Sequence, residues 1–267
     1  MLHAREWGDP TAPALVCLHG VVAHGGRFRE LAVERLASRF RVVALDLRGH
    51  GRSEWEPPWD LRAHLDDIEE TVDRLGIGSA TWLGHSFGGR LLLELCARSP
   101  RRVERAVLLD PAIWVPPPIA LERAEESRRR PSFASPEEAI EARIASGGVA
   151  LTPRSRLEEE MREHLVLSTD GRWRFRFSQA AVVAAFGEMA KPPPGFETLE
   201  VPEFLLVRGE DSGVVPNVLV EVAVDGLGER LSVITVPGGH NVLWDAFDET
   251  AAAIESFLDR RPAGAES

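Results

Sequence analysis

Apolar runs and amphipathic stretches alternate along the first 111 residues of the chain. The apolar runs are short and contain mainly Val, Leu and Ala, at 14–18, 41–45, 80–83 and 103–109. Such runs are typical of strands that are buried on both faces of a parallel sheet. Between them, Leu65, Ile68 and Val72 recur at the spacing of one helix face. The pattern predicts an α/β fold with a doubly wound, mostly parallel sheet flanked by helices.

The pattern breaks between residues 112 and 199. No clean alternation of strands and helices is present there, and a proline run stands near each end, at 116–118 and 192–194. Stiff proline connections indicate an inserted unit, and its stretch 136–145 favours a helix. We therefore predict that 112–199 is a mostly helical cap, or lid, domain.

Strand character returns after the predicted cap. Apolar runs at 203–207 and 231–236 predict two more strands, and a last helix follows. We assign residues 1–111 and 200–267 to one core, with 262–267 as a disordered tail.

Composition limits the partners and cofactors that we expect. The 267-residue chain has a formal net charge of −11, which disfavours nucleic acid and anionic membrane surfaces and suits a small-molecule substrate. No apolar run approaches the roughly 18 residues of a membrane-spanning helix, and the N-terminal residues lack a signal-peptide core. Neither of the two cysteines lies near residues that would make it a metal ligand or a nucleophile. We predict a cytoplasmic protein with no metal and no cofactor, and nothing in the sequence sets its oligomeric state.

The candidate chemistry centres on Gly84-His85-Ser86-Phe87-Gly88, which follows an apolar run and precedes a helix-like stretch. G-x-S-x-G between a strand and a helix is typical of a nucleophile elbow, a sharp turn that exposes a serine hydroxyl. The two glycines let the strand and the helix approach closely around a strained residue. At the start of the helix, the Phe87 N–H is placed to stabilise an oxyanion. We therefore predict that Ser86 is a covalent nucleophile.

Five features, in this order along the chain, resemble the α/β-hydrolase superfamily. They are a His-Gly pair after the first apolar run, a D-x-R-G-x-G-x-S turn, the serine elbow, an acid after a late strand and a G-G-H motif, at 19–20, 46–53, 84–88, 211 and 238–240. The order Ser, Asp, His is the one that this superfamily uses. The resemblance covers nearly all of the chain except the predicted cap, and it is to the serine-nucleophile branch that carries such a cap.

The resemblance implies a role for each matched residue. His240 would act as general base towards Ser86, and Asp211 would orient its ring and stabilise the imidazolium. The backbone N–H groups of Val21 and Phe87 would form the oxyanion hole. Water would then hydrolyse the acyl-enzyme, without a cofactor.

Two aspartates compete for the position of the catalytic acid. Asp110 and Asp211 both follow a buried-looking strand. Pro111 restricts the preceding Asp110 to extended conformations, whereas Gly209 leaves the loop before Asp211 free to turn towards His240. We assign the acid to Asp211.

The predicted cap carries most of the candidate substrate pocket. Residues 172–177 alternate arginine and aromatic side chains, which an extended strand would place on opposite faces. The pattern fits an amphipathic edge packed on the core, or an aromatic pocket with an arginine for an anionic substrate group. We take Trp173 and Phe175 as pocket candidates, together with Trp114 and His24.

The sequence is compatible with three classes of function. The first is a serine esterase that hydrolyses a small carboxylic ester, lactone or thioester. The second uses the same triad for C–C bond hydrolysis or for a cofactor-free lyase or synthase reaction, and the third is a non-catalytic ligand-binding protein. Epoxide hydrolysis and dehalogenation are disfavoured. Relatives of those kinds carry aspartate at the position of Ser86, and epoxide hydrolases use cap tyrosines, whereas this chain contains no tyrosine.

Overall fold

The computed structural model describes residues 1–147, 149 and 151–260. The tail predicted at 262–267, and with it the end of the predicted core, lies outside these residues. In the described part of the chain, no helix is long and apolar enough to cross a membrane.

Seven strands form the large central sheet and two form a small hairpin. In chain order the strands are β1 (Ala4–Trp7), β2 (Ala14–Leu18), β3 (Arg41–Leu45), β4 (Ala80–His85), β5 (Val103–Leu109), β6 (Leu165–Leu167), β7 (Trp173–Phe175), β8 (Phe204–Gly209) and β9 (Leu231–Val236). The large sheet has the order β1-β3-β2-β4-β5-β8-β9, and its neighbours are parallel except for the antiparallel edge pair of β1 and β3. The predicted mostly parallel α/β sheet is confirmed. The sequence pattern does not predict β1, because Arg5 and Glu6 interrupt its apolar character.

The described residues form ten α-helices, some of which cover the two faces of this sheet. They are α1 (Arg29–Leu31), which continues as a π-helical turn (Ala32–Leu36), then α2 (Leu61–Arg74), α3 (Phe87–Arg98), α4 (Pro117–Ser127), α5 (Pro136–Ala145), α6 (Arg154–His164), α7 (Gln179–Met189), α8 (Asn217–Leu227), α9 (Val242–Asp245) and α10 (Phe247–Asp259). Apolar residues of α2, α3 and α8 form one core cluster with the sheet, and those of α1 and α10 form another on the opposite face.

Side-chain alternation along the strands divides the core into these two layers. In β2, Val16 and Leu18 pack towards α2 and α3, whereas Leu15 and Cys17 pack towards α1 and α10. All four side chains are fully buried, and burial of one aliphatic side chain contributes about 1.5–3 kcal/mol to stability. Because these strands are parallel, the carboxyl ends of β2, β4, β5, β8 and β9 meet at one edge of the sheet, where α/β folds place their sites.

The described residues between β5 and β8 form four helices and the β6–β7 hairpin, which pairs apart from the large sheet. We call residues 112–199 the inserted segment. Its ends run side by side, because the Val115 N–H donates to the Met189 carbonyl oxygen at 3.0 Å. Arg90 of α3, fully buried, donates to the carbonyl oxygens of Ile113 at 2.9 Å and Pro192 at 3.0 Å. One side chain of the helix after the serine elbow therefore holds both ends of the inserted segment.

Candidate active site

Ser86 lies at the turn between β4 and α3. Its backbone angles are φ 55° and ψ −117°, a conformation that is strained for a residue with a side chain. A Cβ on Gly84 would lie 2.4 Å from the Gly88 carbonyl oxygen, and a Cβ on Gly88 would lie 2.1 Å from the Leu18 carbonyl oxygen. Only glycine fits at these two positions. The G-x-S-x-G pattern therefore has a steric cause, namely backbone contact around the serine turn.

The loop after β2 passes directly beside the serine. A Cβ on Gly20 would lie 2.8 Å from Ser86 Cβ and 3.3 Å from Ser86 Oγ. Val21 follows Gly20, and among the described residues neither the Val21 N–H nor the Phe87 N–H has a hydrogen-bond acceptor. Free backbone N–H groups near a serine hydroxyl are the donors that an oxyanion requires.

His19 fixes the shape of this loop. Its Nδ1–H donates to the Gly20 carbonyl oxygen at 2.7 Å, and its Nε2 accepts from the Leu47 N–H at 2.9 Å. Because Nε2 is an acceptor, the ring proton is on Nδ1. Burial, together with the neighbouring His50, holds the pKa of His19 well below its ordinary value. The ring is therefore neutral and braces the loop.

His240 lies in the loop between β9 and α9, with its side chain 33% exposed. Its Nδ1 donates to Asp110 Oδ2 at 2.6 Å. Asp110 follows β5 and is fully buried. The Gly209 N–H donates to Asp110 Oδ1 at 3.2 Å, and the Ser212 hydroxyl donates to Oδ2 at 2.5 Å. The buried carboxylate thus accepts three hydrogen bonds, which offset the cost of removing its charge from water.

The prediction that Asp211 partners His240 is wrong. The Asp211 side chain is exposed, and its backbone N–H donates to the Gly238 carbonyl oxygen at 2.9 Å. The argument from Pro111 fails because Asp110 is not extended but has φ 38°. The glycine at 209 contributes its N–H to the Asp110 carboxylate instead of turning Asp211 towards the histidine.

His85, inside the serine turn, packs against His240. Its Nε2–H donates to the His240 carbonyl oxygen at 2.9 Å, and the two ring centroids are 4.8 Å apart. Burial, and then the charge of a protonated His240, hold the pKa of His85 well below its ordinary value. A neutral His85 supports the His240 loop without competing for protons.

Three non-glycine residues with positive φ are described, and all three follow strands at the same sheet edge. They are Val22 with φ 56°, Ser86 with φ 55° and Asp110 with φ 38°. Each such conformation costs about 1–3 kcal/mol, and strain of this kind is concentrated at functional sites. The shared edge, with Ser86, Asp110 and His240, is therefore the candidate active site.

A cavity of about 370 Å³ lies between the core and the inserted segment. The core contributes Val22, Arg27 and Trp244 to its wall. The segment contributes the rest: Glu126, Ser127, Arg129, Pro131, Arg143, Ser146, Leu157, Glu160, Met161, His164, Phe175, Phe177 and Val182. A cavity of this volume with mixed apolar and polar walls is of the size that small-molecule sites have. Because Val22 directly follows Val21, the cavity borders the loop beside Ser86.

Of the four predicted pocket residues, Phe175 alone lines this cavity. His24 lines a smaller neighbouring pocket, where its Nε2–H donates to Glu160 Oε2 at 3.0 Å. Trp114 lies at the joined ends of the inserted segment, where its Nε1–H donates to a backbone carbonyl at 3.2 Å. Trp173 lines a separate pocket between α5 and α6. His24, Trp114 and Trp173 therefore do not line this cavity.

The arginines of the alternating stretch 172–177 are not the arginines of the cavity. Arg172 donates to the Ser132 carbonyl oxygen at 2.6 Å, and Arg174 pairs with Asp170 at 2.5 Å. The cavity instead has Arg27 from the core and, from an earlier part of the inserted segment, Arg129 and Arg143.

A buried ion pair joins the core to the inserted segment. Arg27 Nε and Nη2 donate to Glu160 Oε1 at 2.9 and 2.7 Å, and the guanidinium stacks on Trp244, 4.4 Å from its ring centroid. Burial alone would raise the pKa of Glu160, but Arg27 and His24 hold it well below its ordinary value. Glu160 is the last of three successive glutamates at 158–160, so no sequence signal distinguished it from its neighbours.

Comparison with known proteins identifies the family. Residues 13–144 match the model of the alpha/beta hydrolase fold family. Lipase LipV of Mycobacterium tuberculosis (strain ATCC 25618 / H37Rv) is 34% identical over 266 residues, which cover 97% of this chain and 98% of the lipase. The chain belongs to the α/β hydrolase fold family, and it is an α/β-fold hydrolase.

A second relative extends the match to a solved structure. The 2-(acetamidomethylene)succinate hydrolase of Mesorhizobium japonicum (strain LMG 29417 / CECT 9101 / MAFF 303099) is 29% identical over 265 residues, covering 97% of this chain and 91% of the relative. The crystal structure of E-2-(acetamidomethylene)succinate hydrolase superimposes with a TM-score of 0.85 at 28% identity, covering 97% of this chain and 95% of that one. The similarity thus extends through the inserted segment as well as the core.

Proposed function

We propose that the protein is a serine hydrolase with the catalytic triad Ser86, His240 and Asp110. The observation that carries this proposal is the 2.6 Å hydrogen bond from His240 Nδ1 to the buried Asp110 carboxylate. It lies at the same sheet edge as the strained Ser86 turn. A serine, a histidine and a carboxylate in these roles define the triad on any fold.

The proposed mechanism follows from the donors and acceptors at this edge. With its proton held on Nδ1 by Asp110, His240 has a basic Nε2 that takes the Ser86 hydroxyl proton as Oγ attacks the carbonyl carbon. The Val21 and Phe87 N–H groups stabilise the tetrahedral oxyanion. His240 then returns the proton to the leaving group. In the second half of the reaction, His240 takes a proton from a water molecule as the water oxygen attacks the acyl carbon, and it returns this proton to Ser86 Oγ as the acid product leaves.

We propose a small carboxylic ester, lactone or thioester as the substrate. Two relatives support an ester by name, the lipase LipV and the sn-1-specific diacylglycerol lipase ABHD11 of Mus musculus, 26% identical over 262 residues. The cavity of about 370 Å³ is of a size for a small acyl group.

A second candidate keeps the triad and changes the bond that is broken, to a C–C bond hydrolysis or a cofactor-free lyase reaction. One relative supports this second candidate. It is named as a hydrolase of 2-(acetamidomethylene)succinate, and that substrate name contains no ester.

We further propose that the inserted segment is a lid that selects the substrate. Two contacts support this role. Arg90 ties both ends of the segment to the helix of the serine turn, and the segment supplies most of the cavity wall.

Active-site labelling combined with ester turnover tests the proposal. The wild type should react with a fluorophosphonate probe at Ser86, as peptide mass spectrometry reads it, and should hydrolyse short-acyl p-nitrophenyl esters. Ser86→Ala should remain folded and lose both properties. Labelling of another residue, or ester turnover by Ser86→Ala, would contradict the assignment, whereas labelling without ester turnover would favour the second candidate.

A further inference from the structure

Arg143 of α5 lines the cavity, and in the described part of the chain no carboxylate lies within ion-pair distance of its guanidinium. Among the residues that the structure describes, no group accepts a hydrogen bond from its side chain either. Burial, together with the positive charge of Arg27, lowers the pKa of Arg143 to about 10, although Glu160 opposes the shift, so the group remains charged at neutral pH. A desolvated charge without a partner is unfavourable, and such a group in a cavity indicates a binding site.

The other charged groups of the cavity wall are balanced or lie at its rim. The charge of Arg27 is compensated by Glu160. Glu126 pairs with Arg123 on the exposed side of α4. Arg129 is exposed, at the rim. The interior of the cavity is therefore left with one uncompensated positive charge, that of Arg143.

The surroundings of this charge suit a short carbon chain that ends in an anionic group. Phe175 and Phe177 stack with their ring centroids 5.8 Å apart and line the cavity. His164 lines it as well, and neither of its buried ring nitrogens has a hydrogen-bond partner. Burial holds the pKa of His164 well below its ordinary value, although Glu160 opposes the shift. A neutral imidazole can donate one N–H to a carboxylate.

We propose that the cavity binds the carboxylate of a substrate that carries this group in addition to the bond that is hydrolysed, with Arg143 as its counter-ion. This inference rests on the proposed function, because it places the reacting carbonyl at Ser86. A carboxylate matches the guanidinium in geometry and in charge. A phosphate group, with its larger negative charge, would exceed the single uncompensated positive charge of the interior.

A metal ion is the competing occupant of this region. His24, Glu160 and His164 bring ligand atoms within 4.8 Å of one another. Both Glu160 oxygens, however, already accept hydrogen bonds, Oε1 from Arg27 and Oε2 from His24. The two imidazole rings are stacked 4.9 Å apart with an interplanar angle of 18°, so their lone pairs do not converge on one point. The Arg27 guanidinium serves as the cation of this cluster, and a carboxylate at Arg143 is favoured.

Matched pairs of activated esters test the proposal. The carboxylate-bearing series consists of the mono-p-nitrophenyl esters of succinate, glutarate and adipate, and the neutral series of the butyrate, valerate and hexanoate esters. The wild type should show a higher kcat/KM for at least one half-ester than for its neutral match. Arg143→Met should lower kcat/KM for that half-ester by about 10- to 100-fold, which is the loss of one charge-assisted hydrogen bond. The loss should appear in KM, with the neutral esters within about twofold of wild type.

Two control variants separate a binding role from a general effect of removing an arginine. Arg143→Lys keeps the charge without the planar fork and should recover part of the half-ester activity. Arg174→Met removes the arginine that pairs with Asp170 outside the cavity, and should leave the ratio of the two series unchanged. Equal effects of Arg143→Met on both series, or a loss of half-ester preference in Arg174→Met, would overturn the assignment.

A binding measurement keeps this inference distinct from the proposed function. Calorimetric titration with glutarate should show binding to the wild type and to Ser86→Ala, weakened at least tenfold in Arg143→Met. Absence of phosphonate labelling and of ester turnover, with glutarate binding intact, would reject the hydrolase mechanism and retain the anion site. Turnover of neutral esters without half-ester preference, and without glutarate binding to the wild type, would reject the anion site alone.

Discussion

The carboxyl edge of the sheet and the inserted segment differ in what makes each unusual. At the sheet edge, the unusual feature is backbone strain at Val22, Ser86 and Asp110. In the inserted segment it is buried charge, with Glu160 paired to Arg27 and Arg143 unpaired. At the edge, the strained backbone is kept in place by close contacts between glycines and neighbouring strands. In the inserted segment, the buried charge of Glu160 is compensated by the side chain of Arg27, which is distant in the chain.

This difference teaches where each kind of function is encoded. Backbone contacts demand particular residue types at fixed spacing, so the chemistry of the edge has a local sequence signature. A cavity assembled from separate helices has no such spacing, so the residues that we propose for substrate selection leave no local pattern. The predictions below test this division between reaction and selection, beginning with the largest effect.

Asp110→Asn should lower kcat by about 10⁴-fold, because an amide no longer holds His240 in the tautomer that accepts the Ser86 proton. Asp211→Asn is the matched control and should be near wild type, since the Asp211 side chain is exposed. Steady-state kinetics on a p-nitrophenyl ester measures both, with circular dichroism to verify folding. The reverse pattern would restore Asp211 as the acid.

Glu160→Gln should lower the free energy of unfolding by about 3–5 kcal/mol, because it leaves the buried Arg27 charge uncompensated. Arg154 offers a contrast, since it pairs with three glutamates but is 45% exposed. Arg154→Ala should therefore cost less than about 1 kcal/mol. Urea unfolding followed by fluorescence measures both. Equal losses of stability in the two variants would show that the buried ion pair between core and segment is worth no more than an exposed one.

Gly20→Ala should lower kcat by about 10²-fold with little loss of stability. The added Cβ would lie 2.8 Å from Ser86 Cβ, and a displacement of the nucleophile by about 1 Å has an effect of this size. Gly78→Ala is the control, because nothing lies within 4 Å of a Cβ there. Wild-type kinetics in Gly20→Ala would mean that the β2 loop is free to move away from the serine.

The smallest effect concerns the core, where buried histidines make stability depend on pH. Burial lowers the pKa of His64 to about 3. His64 therefore binds a proton near pH 6.5 in the unfolded chain but stays neutral at that pH in the folded state. Stability from this group is complete above pH 6.5 and falls as the pH drops from there towards the folded pKa. When the pH is lowered from 7 to 5, the free energy of unfolding should therefore fall by about 2 kcal/mol less in His64→Leu than in the wild type. Identical pH dependence of the two unfolding curves would contradict this account.

The strands, helices and serine turn could be predicted because each depends on local pattern. Continuous apolar runs indicate strands buried on both faces. Gly84 is required by its contact with Gly88 in the same turn, and Gly88 by its contact with Leu18 of the neighbouring strand β2, so both belong to the fixed pattern of the serine turn. The choice between Asp110 and Asp211 failed for a physical reason. Both follow strands, and the difference lies in a positive φ at Asp110 and in donors from Gly209 and Ser212, which are set by the packing of two loops.

The substrate pocket was the least predictable part. The alternation at 172–177 indicates an extended conformation, which β7 adopts at Trp173–Phe175, and Phe175 reaches the cavity. The charge that we propose for substrate binding comes instead from Arg143, which lies on a helix with weak amphipathic character and stands among exposed charged residues in the sequence. Its isolation from carboxylates becomes visible only once the helices are packed.

The central claim, that Asp110 holds His240 for Ser86, is tested most directly by proton NMR of the His240 ring. A proton shared between imidazole Nδ1 and a carboxylate at 2.6 Å gives a slowly exchanging resonance far downfield of the amide region. We expect this resonance in the wild type and in Asp211→Asn, and its loss in Asp110→Ala and in His240→Ala, which assigns it. Its persistence in Asp110→Ala together with its loss in Asp211→Asn would contradict the claim.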